Sequence, residues 1–457
     1  MGVRECDIVV TGAGTAGCYA AATAAEAGLD VVILERKPES EAGHIACGDA
    51  LKRASTFPDV IPKSKLEPSM TNTDVEYGRF EIPQEDTVLE IPGPDELAVI
   101  DRLKYGKLVI EGATEAGAEL HYDTVVKDVL QDDDGRVTGV RAMRDGDPIT
   151  YEAEVVIDAA GSLSLLQDKT DFDGTNFDTN VSYQQFSSAY REIVHVDVPV
   201  EWSDALVLKP TERSAGYMWY FPRTETEINA GLGFQMSEPP MELVEDLKKD
   251  LTNREEFTGA TVEDKLGGAL PTRRPYDSAV APGFVAVGDA AGHVNPATGA
   301  GIAAAAYGAS YAAEAAIDAI SNGGPTEHSL WEYNKRAMDD FGAKFAALDV
   351  YNILSMAVNT DEIMGLLATL PDEQIDDALD DGDTSIPLWL KLLTAVKSFG
   401  YWKLVYTFYK SSKVADELRS HYKNYPTSPV EFDSWQAQRD EIMEDVYAVT
   451  GAEQAKY

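Results

Sequence analysis

The chain has 457 residues, room for about three domains of roughly 150 residues each. With 44% apolar and 26% charged residues it can bury a core and is not a disordered polymer. Its 38 Lys and Arg against 79 Asp and Glu leave a net charge of −41, so binding a nucleic-acid backbone is opposed by repulsion. The acid recurs through turns and exposed stretches such as 131–136, 238–250 and 371–383 rather than in one tail. That is the pattern of a solvated surface screened by counterions in concentrated salt.

Three cysteines, Cys6, Cys18 and Cys47, form no CxxC pair and no Cys/His cluster, so neither a disulfide framework nor a metal site is expected. Residues 1–7 carry charge and run into a strand without a signal peptide's apolar region. No run approaches the ~18 consecutive apolar residues of a spanning helix. The expected place of action is the cytoplasm or the inner face of the cell membrane.

Asp7–Thr11 is a short β-branched run and reads as a buried parallel strand. Gly12-Ala-Gly14-Thr-Ala16-Gly17 follows, opening an alanine-rich helix Cys18–Ala27 that Gly28 stops. In this G-x-G-x-x-G pattern the first glycine permits the turn. The second lets the backbone approach a pyrophosphate, and the third allows close helix–strand packing. A second strand, Val31–Leu34, ends at Glu35, placed to accept hydrogen bonds from a ribose diol. Strand, turn, helix, strand and acid together predict an adenine dinucleotide site.

The segment Phe57–Glu96, rich in proline and acid, is expected to hold a hairpin at a domain junction. Val155–Gly161 is a further strand. Asp168–Gly268 carries shorter β-rich segments with turn residues, a sheet inserted into the nucleotide domain. Phe284–Val287 then runs into Gly288-Asp289-Ala-Ala-Gly292, Asn295-Pro296 and Gly299-Ala-Gly301-Ile302, ahead of a helix Ala303–Ile320. An Asp at a strand end suits ribityl hydroxyls, and the glycines let a helix N-terminus approach phosphate or the isoalloxazine edge. His293 falls inside this motif and reads as a structural or flavin-edge residue. His44 and His121 are scattered, without metal spacing.

These motifs resemble the FAD-binding fold of the glutathione-reductase and p-hydroxybenzoate-hydroxylase kind. Asp101-Arg102 looks like that family's mid-domain Arg, and Val155–Gly161 like its returning strand. Gly216-Tyr217-Met-Trp219-Tyr-Phe221-Pro222, followed by Asn229-Ala-Gly231-Leu-Gly233, resembles the Y-x-W-x-F-P signature of geranylgeranyl reductases. Cys47-Gly48-Asp-Ala50 resembles their Cys-Gly segment beside the flavin. The likeness spans about the first 330 residues and, with the acidity, points to the ether-lipid branch of salt-loving archaea.

The resemblance implies an α/β fold: an FAD-binding Rossmann-like domain with an inserted antiparallel β-sheet substrate domain and a helical C-terminal region. The parts expected are 1–167 and 271–326 for the FAD domain, with the junction near 57–96. Residues 168–270 form the cap and 327–457 the helical tail. It implies FAD contacts from Gly12, Gly14, Ala16, Gly17 and Glu35, from Cys47, Gly48, Ala50, Arg102 and Val126, and from Gly288, Asp289, Gly299, Gly301 and Ile302. Tyr217, Trp219, Phe221 and Pro222 would bind an isoprenoid lipid, with Cys47, Tyr217 and Trp219 catalytic. The alternation of Tyr217, Trp219 and Phe221 puts all three on one sheet face, where ordinary core aromatics would also lie. Cys47 reads equally as a packing residue or a proton donor.

Related flavin monooxygenases commonly show an Asp just before the glycine of the returning strand. Here that place is Ala160, with an Asp at 158, which leaves the electron donor, ferredoxin or NAD(P)H, undecided. An aromatic-ring monooxygenase and a non-redox isoprenoid carrier are the competing readings. Finally, 384–415 contains no Asp or Glu, while Lys391, Lys397, Lys403, Lys410 and Lys413 alternate with Leu, Trp, Tyr and Phe. Such a segment suits either a helical pair packed on the cap or a peripheral contact with membrane.

Overall fold

The computed structural model describes residues 2–52, 56–83, 87–178, 186–211, 216–236, 239–358, 360–367 and 401–454. Two sheets organise them. The first contains β1 (Gly2–Thr11) and β2 (Val31–Leu34). The second receives β3 (Ala50–Lys52), β4 (Met70–Ile82) and β5 (Thr87–Ile100). The chain then returns to the first sheet through β6 (Glu119–His121), β7 (Thr124–Gln131), β8 (Val137–Arg144) and β9 (Asp147–Asp158). The second sheet takes the next run: β10 (Phe186–His195), β11 (Ala205–Pro210), β12 (Gly216–Pro222), β13 (Glu227–Gln235) and β14 (Thr261–Pro271). Last, β15 (Val280–Ala281) and β16 (Phe284–Ala286) rejoin the first.

The first sheet runs β15-β16-β9-β1-β2-β6, with β7 and β8 attached to β9 as an antiparallel meander. Its centre is parallel, Val9 facing Val32 on one side and Val156 on the other. Ile8, Val9, Val10, Val32, Ile33, Val155, Val156 and Ile157 are fully buried because helices cover the sheet. Burying each contributes roughly 1.5–3 kcal/mol, which is why these strands read as continuous apolar runs. The covering helix Thr15–Glu26 packs on Ile302–Ser321. Both are alanine-rich, so their axes approach closely. The first begins three residues earlier than Cys18, since Gly14 is its N-cap.

The second sheet runs β14-β10-β13-β12-β11-β4-β5-β3 and is antiparallel except at the β11–β4 join. The segment predicted as a junction hairpin is a long β4–β5 pair built into this sheet. Helix Pro240–Asn253 covers one face, over Met218, Tyr220, Leu232 and Phe234. The other face carries Trp219 and Phe221 with Val75, Val99 and Leu206.

Helices Glu327–Ala337, Ala343–Ala357, Trp402–Lys423 and Phe432–Thr450 close the molecule. They are clamped to the segment between β14 and β15 by a buried polar cluster. Arg439 and Tyr422 both reach Asp277, and Arg273 Nε donates to Asp349 Oδ1 at 2.7 Å. Asp277 and Asp349 are fully buried. Of the basic aromatic stretch 384–415, the part 384–400 lies outside the described residues. No helix among the described residues is long and apolar enough to cross a membrane.

Candidate active site

The turn after β1 is tight because backbone meets backbone. Gly12 has φ +99°, and a Cβ at Gly17 would lie 1.9 Å from the Gly12 carbonyl oxygen. At Gly14, by contrast, a Cβ would meet only Ile45 Cδ1 at 3.9 Å. Protein packing does not demand glycine there, so the bare backbone is an open cradle for a ligand. No side chain caps the helix that starts at Thr15, and its N-terminal N–H groups face this cradle. Glu35 is buried and oriented by two backbone donors, Ala13 N–H to Oε2 at 2.9 Å and Lys37 N–H to Oε1 at 2.8 Å. The remaining lone pairs suit a ribose diol.

Arg102 opens the helix Arg102–Glu115, which Asp101 caps by accepting from Lys104 N–H. The guanidinium is 5% exposed, yet its close partners are neutral: it donates to Thr15 Oγ1 at 3.3 Å and sits 4.8 Å from the Tyr105 ring centre. A buried cation held this way suits an anionic ligand beside the first helix.

The second motif supplies the opposite wall. Gly288 has φ +63° and approaches Ala16, whose Cβ would stand 2.8 Å from a side chain there. The Asp289 carboxyl accepts from Ser162 Oγ at 3.1 Å, and burial pushes its pKa up. Thr298, Gly299 and Ala300 are exposed, and the helix from Ile302 starts at N-cap Gly301 with no side-chain cap. Two uncapped helix N-termini, a carboxylate at the end of β2 and a buried guanidinium fit the phosphates, ribose and flavin of FAD. Val126 lies half-buried on β7 opposite Ala142, and Ala50 pairs with Val99 in the second sheet.

Tyr217, Trp219 and Phe221 share one face of β12, neighbouring ring centres lying 6.0 and 6.4 Å apart. Their even-numbered neighbours Met218 and Tyr220 pack on the other side. Tyr217 Oη donates to the Thr298 carbonyl at 2.9 Å, tying this strand to the 298–301 loop. Gly48 lies against the same face, where a Cβ would meet Phe221 Cε2 at 3.2 Å and Trp219 Cε2 at 3.6 Å. Pro222 ends the strand, its carbonyl accepting from Asn72 Nδ2 at 2.9 Å. Cys47, Gly48, Tyr217, Trp219, Phe221 and the 298–301 loop thus form one neighbourhood.

Sequence reasoning missed the polar frame beneath them. Asp49 is fully buried in left-handed backbone, φ +69°. Its Oδ2 accepts from Arg223 Nε at 2.9 Å, Arg223 Nη2 at 2.6 Å and Asn229 Nδ2 at 2.6 Å. Asn229 also donates to the Cys47 carbonyl and accepts from Trp219 Nε1, both at 2.9 Å. Asp49 N–H reaches Cys47 Sγ at 3.3 Å. One carboxylate therefore positions both the cysteine loop and the tryptophan. Burial, with the Asp49 charge adding to it, pushes the Cys47 pKa up, so the group is a thiol at neutral pH.

Nearby, buried Arg191 bonds Asp264, which also meets His44 Nε2 at 2.8 Å. His293 and His121 are internal: His293 Nδ1 accepts from Gly288 N–H at 3.3 Å, and His121 Nδ1 lies 2.7 Å from Tyr151 Oη.

Fold and site together define an FAD-binding flavoprotein, and the FAD binding domain family matches residues 5–339. A digeranylgeranylglycerophospholipid reductase of Sulfolobus acidocaldarius is 26% identical over 456 residues, covering 96% of this chain and 97% of that protein. The protein of the same name from Methanothrix thermoacetophila is 30% identical over 379 residues, 81% of this chain and 93% of its own length. The chain belongs to the digeranylgeranylglycerophospholipid reductase family. Among solved structures, a geranylgeranyl bacteriochlorophyll reductase-like protein from Thermoplasma acidophilum shares the fold. Its TM-score is 0.70 at 23% identity, over 89% of this chain and 100% of that one.

Proposed function

We propose that the protein is an FAD-dependent reductase that saturates the carbon–carbon double bonds of geranylgeranyl chains on an archaeal ether lipid, working at the inner face of the cell membrane. The observation that carries this reading is the aromatic face of β12, joined through Tyr217 to the loop ahead of the uncapped helix at Gly301. Bound FAD, once reduced, supplies hydride. An isolated trisubstituted alkene is not electrophilic, so the chain's own residues must supply a proton to the other carbon and tolerate the developing positive charge.

The Cys47 thiol holds such a proton, at the edge of the aromatic face. The Trp219 ring, fixed through Nε1 to Asn229, presents a π face worth about 1–2 kcal/mol to a desolvated cation. Tyr217 and Phe221 extend the apolar wall along the prenyl chain. Asp158 is occupied within the fold, accepting from Ala160 N–H and Gln167 Nε2, both at 3.1 Å. With Ala160 beside it lacking a carboxylate, a ferredoxin is favoured over NAD(P)H docked in the monooxygenase manner.

The deciding experiment is anaerobic incubation of dithionite-reduced protein with an unsaturated ether lipid, read by mass spectrometry. Mass gains in steps of two hydrogens are expected. An unchanged lipid sinks the reductase reading in favour of a carrier, and oxygen incorporation with NAD(P)H in air sinks it in favour of a monooxygenase. In the same assay Cys47→Ala is expected to slow single-turnover reduction by about 10²–10⁴-fold with FAD content unchanged. A wild-type rate in that variant removes Cys47 from the chemistry.

A further inference from the structure

The helix Trp402–Lys423 has two unlike faces. Leu404, Ser411, Ser412, Val414, Ala415 and Leu418 are buried, and the helix packs on Ala343–Ala357 and Phe432–Thr450. Outward, its first three turns present Trp402 (62% exposed), Tyr406 (53%) and Tyr409 (37%). Among the described residues these are the only exposed aromatic side chains. With Lys413 they fall at i, i+4, i+7 and i+11, a single stripe along the helix.

Each aromatic carries a lysine. Lys403 Nζ lies 5.9 Å from a Trp402 ring centre, Lys410 Nζ 5.1 Å from Tyr406 and Lys413 Nζ 4.6 Å from Tyr409. No Asp or Glu occurs from 402 to 415, and the exposed face turns acidic again at Asp416 and Glu417. In a chain of net charge −41 this is a local reversal of sign.

We infer that this stripe docks the protein on an anionic lipid surface, the aromatic rings entering the interface and the three lysines meeting lipid phosphates. Charge decides the occupant. The rest of so acidic a surface is repelled by an anionic bilayer, so attachment is favoured at an exposed helix face that carries three lysines and no acid. Exposed Trp and Tyr beside Lys is the composition that an interface, apolar on one side and wet on the other, stabilises. Each lysine near such a surface strengthens binding by roughly 5-fold, about 100-fold for three. The docking is independent of the chemistry proposed above, and its test does not read reduction.

The test is co-sedimentation of the full-length, FAD-loaded protein with vesicles of phosphatidylglycerol and phosphatidylcholine, at low and high salt. Wild type is expected to bind the anionic vesicles, to ignore pure phosphatidylcholine and to be released by salt. A Lys403→Glu, Lys410→Glu, Lys413→Glu variant is expected to lose binding by about 100-fold or more, and Trp402→Ser, Tyr406→Ser by at least 10-fold, with FAD content and melting temperature unchanged. Undiminished binding by both variants overturns the inference. So does wild-type protein that stays unbound at low salt, including the case in which the stripe binds an acidic protein instead.

Discussion

Asp49→Ala is expected to destabilise the protein by about 3–5 kcal/mol, because it leaves the Arg223 guanidinium buried without its main counter-charge. The Arg223 side chain is 9% exposed, and its other carboxylate, Glu227, is a single contact at 3.3 Å. Alanine also occupies left-handed backbone poorly, adding about 1 kcal/mol. Trp219 and the Cys47 loop lose their common anchor together, since Asn229 is held by the same carboxylate. Reduction of the prenyl chain should therefore fall further than FAD content does. Asp49→Asn keeps the shape and tolerates the backbone, and its loss should be smaller.

The decisive measurement is a double-variant cycle by urea unfolding. Arg223→Leu added to Asp49→Leu should recover much of the stability lost by Asp49→Leu alone, because the unpaired buried charge is then gone. Strict additivity of the two losses would show that the pair carries no such penalty.

The contrast between this frame and the FAD cradle explains what the sequence makes legible. The cradle is local: strand, glycine turn, helix, strand and acid lie within Gly2–Glu35, and their order is their geometry. The Arg223–Asp49 pair joins residues 174 positions apart. Against 79 acidic residues, one more Asp between Gly48 and Ala50 carries no mark. The signal available was the arginine, set immediately after Pro222 on an apolar strand in a chain poor in cations. Likewise β4 and β5 hide in a stretch of proline and acid whose alternation is irregular. Their register shifts at Asn72 and Val75 show why period-two reading fails there. Strand β4 finds its parallel partner β11 only across the intervening β5–β10. The Y-x-W-x-F-P run was legible through its resemblance to a known signature, while its alternation alone could not tell a pocket wall from core: one face packs on helix Pro240–Asn253, and the other clusters with Val75, Val99 and Leu206.

Acidification supplies the second large effect, through His293. The ring is 2% exposed, its centre 4.9 Å from that of the Phe341 ring in an edge-to-face arrangement, and burial pushes its pKa down to about 3. The Tyr333 hydroxyl donates to the Ala286 carbonyl at 2.6 Å and lies 3.2 Å from Nε2. That arrangement assigns the proton to Nε2 and leaves Nδ1 to accept from Gly288 N–H. Protonating Nδ1 breaks the contact that sets the turn of the second flavin motif. The folded pKa lies below the unfolded value of about 6.5, so the neutral ring's contribution is fully present above pH 6.5. It is lost as pH falls toward 3, by about 1.4 kcal/mol per unit and on the order of 5 kcal/mol in all.

Buried Asp158 and Asp289, whose pKa values are pushed up by burial, act with the opposite sign. The difference between wild type and His293→Asn therefore isolates the histidine. Between pH 6 and 4 at fixed salt, wild-type stability and FAD retention are expected to fall more steeply than those of His293→Asn, the gap in slope being close to one proton. Asn can still accept from Gly288 N–H through an Oδ1 placed where Nδ1 was, so the variant should bind FAD at pH 7. Parallel slopes would mean that the ring takes up its proton in the folded state, and the turn at Gly288 would then need another support.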